Sequence, residues 1–175
     1  TPKDDVYFEN VRNVLLVSNS VALEAMRVRS EELGFAARVV TNELSGEASE
    51  VAVGILEALH NEKKGAVLLY GGEPTVTVTV KGKGGRSSEM VVAGLLEVQR
   101  GEIMIPFASD GWDNTELAGG VCDLVTMKIA KEMELGPMWH EKNNQSFAFL
   151  DKTNQGIRTG RLGSNVSDLV VAVKV

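Results

Sequence analysis

"GGEPTVTVTVKGKGGRSSE", residues 71–89, changes character twice. After Gly-Gly-Glu and Pro74, the run from Thr75 to Val80 alternates strictly between threonine and valine. That two-residue period predicts a strand with one wet face. From Lys81 the chain turns to glycines and cations, and from Ser87 a helical pattern takes over. A half-wet strand of this kind belongs to antiparallel pairing, so it predicts a mixed sheet rather than a purely parallel one.

The elements on either side supply the rest of that sheet. Residues 13–17 ("NVLLV") and 66–70 ("AVLLY") are short apolar runs suited to strands covered on both faces, with a further strand expected at 35–40. Residues 21–33 and 45–60 carry apolar side chains at helical spacing. The first follows the capping residues Ser18-Asn19-Ser20 and ends at Gly34. This βαβαβ order predicts parallel strands joined by right-handed crossovers. Further on, helices are expected at 87–99, 121–135 (stopped by Gly136-Pro137) and 144–150, and strands at 103–108, 157–159 and 169–175. With no internal repeat or linker, the expectation is one α/β domain over residues 1–175. Its sheet is mixed and mostly parallel, flanked by helices, with an antiparallel strand from Thr75 to Val80.

The 175 residues suit one core, and 43% hydrophobic with 24% charged residues is globular composition. A net charge of −6 argues against nucleic acid or an anionic membrane surface as main partner, so any anion site must be a local basic pocket. One cysteine, Cys122, allows no intrachain disulfide, and two histidines make a structural zinc site improbable. No apolar run has the length of a membrane span and no signal peptide is visible, so a cytoplasmic protein is expected. A homo-oligomer is left open.

Three loops carry candidate chemistry. In the first, Gly82, Lys83, Gly84, Gly85, Arg86 and Ser87 combine a permissive backbone with a helix start, full positive charge and an arginine fork. That suits an anion cradle, or equally a solubilising surface loop. The second, "SDGWDNTE", follows a predicted strand end and places Asp110, Asp113 and Glu116 close together. Three carboxylates can hold Mg²⁺, although Asp-Gly is also an ordinary turn. In the third, "TGRLGSNVSD", Gly163, Ser164 and Asn165 offer donors for a second anion cradle, or form a turn. Neither nucleotide-binding glycine fingerprint fits.

In this order the loops resemble the C-terminal MOFRL domain of class II glycerate kinases. That domain carries GGE-T-V-V with GKGGRNQE, then TDG-x-DG-x-TDAAGA, then TGPTGTNV-D. The segment "VLLVSNSVALEAMRVRSEELGF" with "LSGEASEV" is similar to the stretch preceding it, so the likeness spans nearly the whole chain. The resemblance implies a glycerate 2-kinase-like phosphotransferase that uses ATP and Mg²⁺ on D-glycerate. An N-terminal kinase domain, in the same or a separate chain, would supply the other half of the cleft. It also implies Arg86 and Asp110 as catalytic residues and Asp110 with Asp113 as metal ligands. Phosphate or substrate binding falls to Gly82, Lys83, Gly84, Gly85, Ser87, Gly163, Ser164 and Asn165, and the partner is a small anionic substrate. Ser87-Ser88 stand where the family has Asn-Gln, and Arg161 where it has proline. These departures keep a second reading in play, an anion-binding module without catalysis.

Overall fold

The computed structural model describes residues 5–12, 14 and 16–175. After a short 3-10 turn at Asp5–Phe8, the elements are α1 (Asn19–Glu32), β1 (Ala36–Leu44), α2 (Ala48–His60), β2 (Ala66–Gly72) and α3 (Arg86–Gly94). There follow β3 (Glu102–Ala108), β4 (Gly119–Gly120), α4 (Leu124–Glu132), α5 (Pro137–Lys142), α6 (Ser146–Thr153), β5 (Gly156–Ile157) and β6 (Asp168–Lys174). The strands form one six-stranded mixed sheet in the order β1-β2-β6-β3-β4-β5.

Period-two alternation sends the two sides of the central strands into two cores. Leu68 and Tyr70 of β2, with Val170 and Ala172 of β6, join α2, α3 and α6 in the larger one. Val67, Leu69 and Leu169 meet Leu23 of α1 in the smaller. β2 is buried along all seven residues because it lies between β1 and β6 with helices on both faces. α3 is the most deeply placed helix, with all of residues 87–94 buried. Bare Gly94 lets it approach Met104 and Cys122, and a Cβ there would press on both.

The expectation of a mostly parallel sheet is corrected. Only β1–β2 is parallel; β2–β6, β6–β3, β3–β4 and β4–β5 are antiparallel. The C-terminal strand enters between β2 and β3 against their direction, which the βαβαβ pattern upstream could not reveal. The expected strand at residues 13–17 falls partly outside the described residues; Val14, Leu16 and Val17 are exposed and lie in no strand. α4 spans less than the expected 121–135: it ends at Glu132 in a turn with Glu134 at φ +55°, and Gly136-Pro137 instead starts α5, with the proline in the first turn.

The antiparallel strand expected from Thr75 to Val80 does not form: the run makes one isolated bridge, Thr75 with Glu47, and that bridge is parallel. Side chains replace the missing strand. The Glu47 carboxylate, preceding α2, takes the Thr77 N–H at 3.0 Å and the Thr77 hydroxyl at 2.8 Å. The Asn144 amide oxygen takes the Thr79 N–H at 3.0 Å and the Val80 N–H at 3.3 Å. The alternation is therefore real and faces side-chain acceptors on the threonine side. Val76 reaches the core margin, while Val78 and Val80 remain exposed.

Candidate functional site

β2 and β3 finish at the same edge of the sheet where β6 begins, with Asp168 paired in register to both Gly72 and Ala108. Three loops gather at this edge. The loop after β3 is fastened to the loop before β6 by Asn165, whose amide donates to Asp110 Oδ2 at 3.2 Å. The Leu162 N–H to Asp110 carbonyl bond at 2.7 Å holds it from the other side. Gly111, at φ +79°, lies so close to the Gly160 carbonyl that a side chain would collide with it. The same loop is fastened to the start of α3 by Asp113. Its carboxylate accepts the Ser87 N–H at 3.1 Å and, through Oδ2, the Ser88 N–H and hydroxyl at 2.7 Å each. Asp168 then meets Arg86. Oδ1 takes Nη2–H at 3.3 Å, and Oδ2 lies 2.7 Å from Nε. The glycine loop and the loop after β3 line one cleft of about 490 Å³, and the loop before β6 adjoins it through Asp110 and Asp168 without lining it. Val76 and Val78 form one wall; Arg86, Trp112 and Asn114 stand on the others.

The sequence-predicted residues separate into distinct positions within this cleft. Gly82, Gly84 and Gly85 have ordinary negative-side backbones. They are glycine because a Cβ would strike the Asn144 carbonyl, the Ser146 hydroxyl and Asp113 respectively. Close packing rather than a left-handed turn makes them bare. Lys83 is committed to Glu116 at 3.0 Å and lies 3.7 Å over the Phe147 ring. The Ser87 N–H belongs to Asp113, and its hydroxyl is buried with no hydrogen-bond partner among the described residues. The positive start of α3 is already met by an internal carboxylate, so an incoming anion finds it taken. Gly163 and Ser164 are exposed on the rim, outside the cleft lining. Arg86, 39% exposed, is the cation of the glycine loop that faces the cleft.

Residues to which the sequence reading gave no separate role also matter. Trp112 carries the Arg161 guanidinium 4.3 Å above its ring. Burial pushes the Asp168 carboxyl up to about 6, with Arg86 opposing and Asp113 adding to the rise. Behind the loop, burial pushes Glu89 up to about 7, assisted by Glu141, Glu47 and Asp113. Asp168 stands where the family's TGPTGTNV-D has its aspartate, which was the signal for it, though not for its pairing with Arg86; nothing in the sequence marked Trp112 as cleft-lining.

The carboxylates do not fit a metal site of their own. Asp113 is buried and both its oxygens serve N–H and O–H donors. Those of Asp110 serve the Trp112 N–H and Asn165. Among the described residues no group of three His, Cys, Asp or Glu is placed to hold an ion.

The sheet and the loops gathered at its edge define a mixed α/β domain with an open cleft. Residues 66–168 match the sequence model of the MOFRL family, and the chain belongs to that family. It is 33% identical to a glycerate 2-kinase of Pyrococcus horikoshii, over 99% of this chain and 41% of that one. It is 32% identical to a D-glycerate 2-kinase of Thermotoga maritima, over all of this chain and 44% of that one. The crystal structure of a glycerate kinase from Thermotoga maritima superimposes with a TM-score of 0.89 over 95% of this chain and 43% of that one. The chain spans less than half the length of these relatives. No helix among its described residues is long and apolar enough to cross a membrane.

Proposed function

We propose that residues 1–175 form one α/β unit supplying the Arg86 side of a two-part anion cleft in a cytoplasmic glycerate 2-kinase-type phosphotransferase. D-glycerate is the acceptor and ATP the donor. The observation that carries this reading is the convergence of three loops on one arginine that is held at its root and open to a cleft. Phosphoryl transfer asks mainly for positioning and charge stabilisation, which such an arginine provides to a phosphate or to the glycerate carboxylate. Asp110 contributes by tying the loop of Gly163, Ser164 and Asn165 to the cleft, where that loop offers the second rim of donors. The relatives' names support the reaction class, and their greater length supports a further domain, joined or separate, as the other half. No step is assigned to a metal, since Asp110 and Asp113 are engaged within the protein.

Calorimetric titration of residues 1–175 with phosphate, ATP and D-glycerate tests the cleft. Arg86→Ala is expected to weaken anion binding by about 1.5–3 kcal/mol, and Arg86→Lys to weaken it less, because lysine keeps the charge but not the fork. Equal binding by all three proteins would remove the cleft assignment. The commitment of Asp113 and the Ser87-Ser88 pair favours the second reading, an anion-binding module without catalysis. Transfer of phosphate to D-glycerate by the chain joined to the remaining part of such a kinase decides between the two.

A further inference from the structure

The guanidinium of Arg86 has two edges that can each meet a planar or tetrahedral anion. Asp168 occupies one of them. Nη2 donates to Oδ1 at 3.3 Å, while Oδ2 sits 2.7 Å from Nε, off the N–H direction and without a hydrogen bond. Nη1 makes no hydrogen bond or ion pair among the described residues, so the Nη1–Nη2 edge is uncommitted. Both partners stand on rigid elements. Arg86 is the first residue of α3, whose following residues are all buried, and Asp168 is the first residue of the central strand, laddered on both sides. Asp168 is itself 2% exposed, so it can meet an incoming ligand only through the arginine.

We propose that Asp168 is a positioning residue. It grips the Nε side of Arg86 and so holds the Nη1–Nη2 edge toward the cleft, where that edge receives a phosphate or carboxylate. The proposal rests on the reading of Arg86 as the anion-binding residue. Sequence order alone would pair Arg86 with its loop neighbours; the fold pairs it with a carboxylate 82 residues away.

The opposite role makes the opposite prediction. An Asp168 that merely competed with ligands for Arg86 would depress affinity, and removing it would tighten binding. Inorganic phosphate is titrated calorimetrically into residues 1–175 carrying Asp168→Ala, Asp168→Asn, Arg86→Ala, or Asp168→Ala with Arg86→Ala. The expected result for Asp168→Ala is a loss of about tenfold, as an arginine freed from its anchor gives up a preorganised fork. Asp168→Asn keeps the acceptor oxygen and the shape, so it loses less, and it serves if the alanine variant does not fold. In the Arg86→Ala background Asp168→Ala changes nothing further, which a general structural defect would not reproduce. The Arg86 Nη2–H protons, one of which is hydrogen-bonded to Asp168, should exchange more slowly with solvent in the parent than in Asp168→Ala. Unchanged or tighter phosphate binding by the folded Asp168 variants overturns the proposal. A parent that binds no phosphate overturns the Arg86 reading first and this one with it.

Discussion

The β3–β6 ladder ends in a buried carboxylate at each pole, and the two are treated differently. At the far pole Glu102 pairs in register with Lys174. Oε1 receives Lys174 Nζ at 2.6 Å and faces His60 Nδ1 at 2.9 Å, while Oε2 takes the Gln99 N–H at 2.9 Å. Burial raises its pKa, but these partners outweigh burial and hold the carboxyl below the usual range. At the cleft pole the Asp168 carboxylate has, among the described residues, Arg86 alone and one oxygen without a hydrogen bond, and burial pushes it up to about 6. The first pole is finished and serves stability. The second is left short of partners beside an open cleft, which is where perturbed groups mark function.

The sharpest way to break this comparison is to remove each charge in turn. Glu102→Gln removes the buried negative charge that Lys174 and His60 face, and one of its two acceptor oxygens, and is expected to cost about 3 kcal/mol in urea unfolding. Asp168→Asn is expected to cost under about 1 kcal/mol, because its charged form is already disfavoured by burial. Equal costs would mean the poles do not differ.

The next effect is on pH. Glu89 at about 7 and Asp168 at about 6 both lie above their unfolded values, so the folded state holds their protons more tightly. Their contribution is fully present below about pH 4 and is lost as pH rises through 6 to 7. Unfolding free energy should therefore fall by roughly 4 kcal/mol between pH 5 and 8. Glu89→Gln should flatten most of that slope, and a slope unchanged by the substitution would contradict the buried-acid assignment.

Smaller effects test the edges of the cleft. Asn144→Ala removes the acceptor for Thr79 and Val80 and should cost about 1 kcal/mol. Amide exchange should accelerate at residues 79–80 and not in β2. Smallest of all, Lys81→Ala should weaken anion binding slightly at low salt, with the difference gone once salt screens the exposed charge. A salt-independent loss would place Lys81 inside the site.

Much of this was legible in the residues. α2 announced itself by Ala48, Ala52, Ile55, Leu56 and Leu59 on one buried face, and β2 by an unbroken apolar run. The three loops were legible as a set through their family resemblance. What stayed hidden depended on distant partners. The Thr75–Val80 alternation shows that two sides differ, but whether a strand or the side chains of Glu47 and Asn144 face it is decided by tertiary packing. Gly82, Gly84 and Gly85 looked like a flexible cradle. Their bareness instead admits Asn144, Ser146 and Asp113, neighbours supplied from 28 to 62 residues downstream. The short β4 is two glycines, and a pair of glycines carries no strand periodicity at all.

The most direct measurement of the central claim is amide chemical-shift mapping of residues 1–175 during titration with inorganic phosphate. The account predicts perturbations concentrated at residues 84–88 and 112–114 and at Asp168, around the single open guanidinium edge, with residues 99–103 and Lys174 at the finished pole unmoved. Perturbations centred on the Glu102 pole, or none at the Arg86 pole at saturating phosphate, would contradict it.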